Sequence, residues 1–142
     1  MRYWDASAVV PLLVRQDRSD AMRDALGQDP DVVTWWGTPV ECVSAIMRLE
    51  REGRLGEAET RAAERRLTAL REAWTEVLPG QACRQAAERM LRVHALRAAD
   101  ALQLAAALLA ADHRPSGLEM MCLDTRLADA ARREGFGLPG LD

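Results

Sequence analysis

The chain has 142 residues, of which 49% are apolar, and a formal charge of -3. That excludes a disordered chain, fits one domain with a real core, and offers no bulk positive charge to advertise nucleic-acid binding. All 19 basic residues are arginine, a bias that suits bidentate phosphate contacts but that a GC-rich genome explains equally well.

Short apolar runs alternate with amphipathic segments. The first strand is expected at Arg2–Trp4 and the second at Val32–Trp36. A brief third strand is expected over Glu76–Leu78, the fourth over Glu119–Leu123, and a further short one at Phe136–Leu138. Between them the period becomes helical. After Gly56, the residues Ala63, Leu67, Leu70, Trp74 and Val77 form one buried stripe. Ala82, Ala86, Met90 and Val93 do the same in the next helix. Leu127, Ala130 and Ala131 form the inner face of the last, which Gly135 closes as a C-cap. Strands alternating with helices imply an α/β/α arrangement around a short parallel sheet, with helices predominating and residues 1–142 forming a single domain.

Three cysteines without CxxC spacing argue against a zinc site or a disulfide framework and for reduced thiols in the cytoplasm. MRYWD already reads as a strand, so no signal peptide is expected. The most apolar stretch, Ala101 to Ala111, is too short to span a bilayer.

Four acidic residues stand where a strand-like run gives way to a helix, or open a helix: Asp5, Glu41, Asp100 and Asp124. Each has a local explanation. Thr38-Pro39-Val40-Glu41 has the form of a capping box, and Asp100 with Gln103 imitates one. Asp124 is placed to cap the last helix, and either Asp5 or Ser7 to cap the first. Together they suggest more. Asp5 and Asp124 lie at the carboxyl ends of expected parallel strands, where α/β sheets place ligands. Asp100 sits in an apolar stretch, where a carboxylate must take up a proton or find a cation. Carboxylates brought together would suit Mg²⁺ or Mn²⁺, hard cations with oxygen ligands. Such an ion can activate a water and steady a phosphodiester during in-line attack.

The segments that carry these acids resemble the PIN-domain ribonucleases, and most closely the VapC-type toxins of toxin–antitoxin pairs. They are YWDASAVVPLL, VVTWWGTPVECVSAIMRLEREGRL, VHALRAADALQLAAALLAA and MCLDTRLADAARREGF, which fall in the family's order and cover nearly the whole chain. The resemblance implies a PIN-like fold, Mg²⁺ or Mn²⁺ dependence and endonucleolytic cleavage of RNA. It further implies a cognate antitoxin that blocks the acidic pocket, and homodimerisation. Carried over by position, Asp5 and Asp100 match the family's most dependable ligands. Glu41 matches the acid that opens the third helix, and Asp124 the acid after the fourth strand. Ser7 matches the small hydroxyl residue beside the first Asp. Arg15-Gln16-Asp17 replaces a frequent Glu, and Gln103 a frequent His; neither departure removes a ligand.

Arg48, Arg97 and Arg126 lie near these acids in sequence, and ion pairing is the expected role, with RNA phosphate contact or tuning of the carboxylates as the alternatives. His94 and His113 lack the partners of a general base and read as structural. Of Trp35 and Trp36, one is expected in the core and the other at an edge. Cys42 has no histidine near it in sequence and makes a poor nucleophile. The alternatives are a PIN nuclease of RNA processing outside a toxin pair, and a catalytically inactive PIN binding module. A phosphatase-type domain with a nucleophilic Asp is disfavoured, because Asp5-Ala6-Ser7 lacks the second Asp such sites carry.

Overall fold

A computed structural model describes residues 1–141 of the chain. Four short strands, β1 (Arg2–Trp4), β2 (Val32–Trp35), β3 (Thr75–Val77) and β4 (Glu119–Met121), form one sheet in the order β3-β2-β1-β4. Every pairing is parallel, with Tyr3 opposite Val33 on one side and Met120 on the other. The helices are α1 (Ala6–Leu13), α2 (Ser19–Gln28), α3 (Thr38–Arg51), α4 (Glu57–Ala73), α5 (Gln81–Val93), α6 (Ala98–Ala110) and α7 (Thr125–Glu134).

Side chains alternate across the strands, and the alternation sorts the molecule into two cores. Tyr3, Val33, Trp35 and Met120 face α5, α6 and α7. Trp4, Val32 and Met121 face α1 through α4. Both faces of the sheet are therefore covered, as a parallel sheet requires. Ala101, Ala105, Ala106 and Ala107 of α6 have no exposed surface; alanines there let the helix lie close on the sheet at little entropic cost.

Most expected elements are present, with shifted ends. β3 begins at Thr75 rather than Glu76, and β2 and β4 stop at Trp35 and Met121. Phe136–Leu138 contributes only a single bridge, Gly137 to Glu119. Two helical stripes need correction. α4 ends at Ala73, so Val77 belongs to β3 and not to the helix stripe. On α5 the buried residues are Cys83, Ala87 and Met90, one position on from Ala82 and Ala86, while Val93 is 57% exposed. Small side chains at Ala82, Cys83, Ala86 and Ala87 gave the pattern no bulk by which to choose a face. The α7 stripe and the left-handed Gly135 at its end stand as read. Trp35 is buried and Trp36 is exposed, the division anticipated for the pair.

Chain order against sheet order defines the position that matters for chemistry. The chain steps outward from β1 to β2 to β3, then returns to place β4 on the opposite side of β1. The reversal leaves a crevice between the carboxyl ends of β1 and β4, the place where open parallel sheets bind ligands. Among the described residues, no single helix is long and apolar enough to cross a membrane.

Candidate metal centre

Asp5 follows β1 directly and is 4% exposed. Its backbone N–H donates to the Met121 carbonyl at 3.0 Å, which ties it to the end of β4. Its Oδ2 accepts from the Ser7 N–H at 3.1 Å and from the Ser7 hydroxyl. Asp5, not Ser7, is thus the N-cap of α1. Ser7 does a different job. While its hydroxyl donates to Asp5, its oxygen accepts from the backbone N–H of Leu123 at 2.9 Å and of Asp124 at 3.2 Å. One hydroxyl uses its donor and both its lone pairs to hold the chain after β4 against the first carboxylate.

Glu41 lies in the first turn of α3, half-buried. The expected capping box is absent. The N-cap is Gly37, Thr38 is already helical, and Glu41 does not reach back to the backbone. Its Oε2 instead accepts from the side-chain amide of Gln103, which also donates to Thr38 Oγ1 at 3.1 Å. The Tyr3 hydroxyl donates to Gln103 Oε1 at 2.6 Å. Tyr3 and Gln103 have no exposed surface, so the amide can take only the orientation that directs its N–H₂ toward Glu41.

Asp100 also escapes its local explanation. α6 begins at Ala98 with Arg97 as N-cap, so Asp100 lies inside the first turn, half-buried, and Gln103 caps nothing. Asp124 does cap α7, with Oδ1 accepting from the Leu127 N–H at 2.9 Å, and it remains exposed.

The four carboxylates act on one another. Burial, reinforced by the negative charge of Asp100, raises Asp5 to about 6 against the two Ser7 hydrogen bonds. Burial raises Glu41 to about 7; Gln103 opposes this, while Asp5 and Asp100 reinforce it. Asp100 is raised by burial and then by Asp124, with Arg97 and Arg126 pulling the other way. Tyr3 is pushed well up by burial and by Asp5 and Glu41. Among the described residues no three acidic, histidine or cysteine side chains already stand as a ligand cluster. The coupling runs instead through space, from Glu41 to Asp5 and Asp100 and from Asp100 to Asp124.

These residues fit a hard divalent cation. All four donors are carboxylates, and Asp5 has no cationic partner among the described residues to offset its burial. A soft metal is poorly matched. Cys122 places its sulfur 3.7 Å from Asp5 Oδ2 and 3.4 Å from the Asp124 carbonyl, but burial and Asp5 hold it as the thiol. Cys42 is likewise pushed up to about 12 by burial and Glu41, which removes it as a nucleophile.

The expected ion pairs for the nearby arginines do not form. Among the described residues Arg48, Arg97 and Arg126 make no salt bridge, although Arg97 and Arg126 act on Asp100 at longer range. Glu57 and Arg61 pair across one turn of α4 at 3.1 Å. His94 is buried with Nε2 2.7 Å from Glu134 Oε1, a structural placement. Tyr3 is the participant that sequence reasoning missed. Its signal was alternation, because Tyr3 on β1 stands two residues before Asp5, the repeat at which side chains return to one side of a strand.

No family model matches the chain, and no curated protein matches it.

Proposed function

We propose that this chain is a divalent-metal-dependent endoribonuclease of the PIN type. The observation that carries the reading is Asp5: a carboxylate 4% exposed at the sheet's switch point, coupled to Glu41 and Asp100 and offset by no cation among the described residues. A site built at that cost in ionisation free energy is explained by a cation that binds there.

Asp5, Glu41, Asp100 and Asp124 would hold Mg²⁺ or Mn²⁺, which when bound lowers the pKa of a water and offsets phosphodiester charge. The chain's own residues provide the order. Ser7 fixes Asp5 through Oδ2 and ties it to the backbone of Leu123 and Asp124. Gln103, held by Tyr3, fixes Glu41 through Oε2. Arg97 and Arg126 line a cleft of about 390 Å³ with Asp100 and Asp124, placed to receive a phosphate beside the acids. Hydrolysis needs no protein nucleophile, consistent with two protonated, buried thiols nearby.

The family resemblance extends the proposal. The enzyme is the toxin of a VapBC-like pair, restrained by an antitoxin that covers the acidic cleft, and it works as a homodimer in the cytoplasm. Purified protein is expected to cut RNA with Mg²⁺ or Mn²⁺ and to stop with EDTA. Asp5→Asn and Asp100→Asn are each expected to lower the rate by at least two orders of magnitude; undiminished cutting by either would sink the proposed centre. For the toxin role, expression should arrest growth, and co-expression of the adjacent upstream reading frame should relieve it. Harmless expression of a protein that cuts RNA in vitro would leave the nuclease and remove the toxin.

A further inference from the structure

The cleft at the acids has a neighbour. A second cleft, of about 320 Å³, is lined by His94, Leu96, Arg126, Ala130 and Arg133 among others. Arg126 stands in the wall of both, so the two clefts adjoin at α7, and together they are called the trough. Arg97, Arg126 and Arg133 are exposed, and among the described residues none makes a salt bridge. The acid in the far half, Asp129, is already paired with Arg132 at 3.0 Å. His94 is tied to Glu134, which also holds Arg89 at 2.8 Å. What the far half presents is therefore cationic, over a floor that includes Leu96 and Ala130.

Arg126 and Arg133 are seven residues apart, two helical turns, so they lie on one side of α7 about 10 Å apart along the axis. An isolated anion would need one of them. Two cations at a fixed interval, with apolar surface between, match a chain of phosphates whose sugars and bases lie between the charges.

We propose that this trough binds the backbone of single-stranded RNA on one side of the scissile bond. Arg97 and Arg126 take phosphates beside the acidic centre, and Arg133 takes one farther along. The placement beside a scissile bond rests on the nuclease reading; the binding itself does not require hydrolysis.

The test is fluorescence anisotropy of a short labelled single-stranded RNA with the full chain in EDTA, which prevents cutting, across a salt series. Arg133→Gln is expected to weaken binding by about 3- to 10-fold and to reduce the slope of log K against log salt by about 0.7, the value of one phosphate contact on a single strand. Arg65→Gln removes another exposed arginine, on α4 across the sheet, and should change neither. Matching thermal melts show that both variants fold. Unchanged affinity and slope in Arg133→Gln would overturn the trough, as would equal losses in both variants or no RNA binding by the wild type. Displacement of RNA by an equal concentration of an oligoglutamate peptide would overturn it in favour of an acidic protein segment. If wild type cuts RNA in Mg²⁺ while Arg133→Gln binds normally, the trough fails and the nuclease stands. If Arg133→Gln loses binding while wild type cuts nothing, the reverse holds.

Discussion

Gln103 shows how much one buried amide can decide. It accepts from Tyr3 and donates to Thr38 and Glu41, so its two ends are read in opposite senses by fixed partners. Gln103→Leu keeps the volume and leaves the Tyr3 hydroxyl and Glu41 Oε2 without a partner, while Thr38 Oγ1 still accepts from the Trp35 N–H; this should cost about 1–3 kcal/mol in stability. It also frees Glu41 to rotate, so Mn²⁺ affinity should fall several-fold in a calorimetric titration. Gln103→His retains one ring acceptor for Tyr3 and one N–H for Glu41, and should recover most of that affinity. Equal metal affinity in all three proteins would show that Gln103 only fills the core. Ser7 is the counterpart at Asp5. Ser7→Ala strands the N–H groups of Leu123 and Asp124 and removes a donor from Asp5. A loss of about 1–3 kcal/mol in denaturant unfolding is expected, together with weaker metal binding.

At the scale of elements, Asp124 separates capping from charge. Asp and Asn cap helices about equally well. Asp124→Asn should therefore keep the stability of α7 to within about 0.5 kcal/mol and lose most of the charge-dependent activity, whereas Asp124→Ala should lose about 1 kcal/mol as well. If Asn restores activity as fully as it restores stability, Asp124 is a cap alone. The sequence carried this ambiguity for all four acids, and it resolved differently for each. Asp5 and Asp124 cap their helices, as strand-end acids before α1 and α7 should. Glu41 and Asp100 do not, because α3 and α6 start earlier than Thr38 and Asp100 suggested. Periodicity placed the four strands to within a residue or two and the helices α4, α5 and α7, yet it gave no sign of α2 and misassigned the buried face of α5, where small side chains blur the hydrophobic stripe. Nor was the Tyr3–Gln103–Glu41 chain legible, since its bonds join residues 100 and 62 positions apart and a single sequence carries no sign of which elements meet.

For the whole molecule, the acidic centre sets how stability responds to pH and to metal. Carboxylates elsewhere are conventional: Asp20, Asp29 and Glu134 are held below their ordinary values by Arg15, the N-terminus, and Arg89 with His94 respectively. These are ionised throughout the neutral range and titrate only in acid. Asp5 and Glu41 behave oppositely. Their values rise from 3.8 to about 6 and from 4.5 to about 7 on folding. Between the unfolded and folded values the native state holds more protons than the unfolded chain, so stability falls as pH rises. Their contribution is fully present below about pH 4 and is lost through pH 6 to 7. The metal-free protein should therefore melt at progressively lower temperature from pH 5 to pH 8. Glu41→Gln, which cannot ionise, should flatten that decline. Saturating Mg²⁺ binds the ionised carboxylates and only in the folded state, so it should raise the melting temperature strongly at pH 8 and little at pH 5. Calorimetric scans at both pH values, with and without Mg²⁺, check the sign directly. A metal-free profile that rises toward pH 8, or a Mg²⁺ effect equal at the two values, would mean that the four acids do not share a cation.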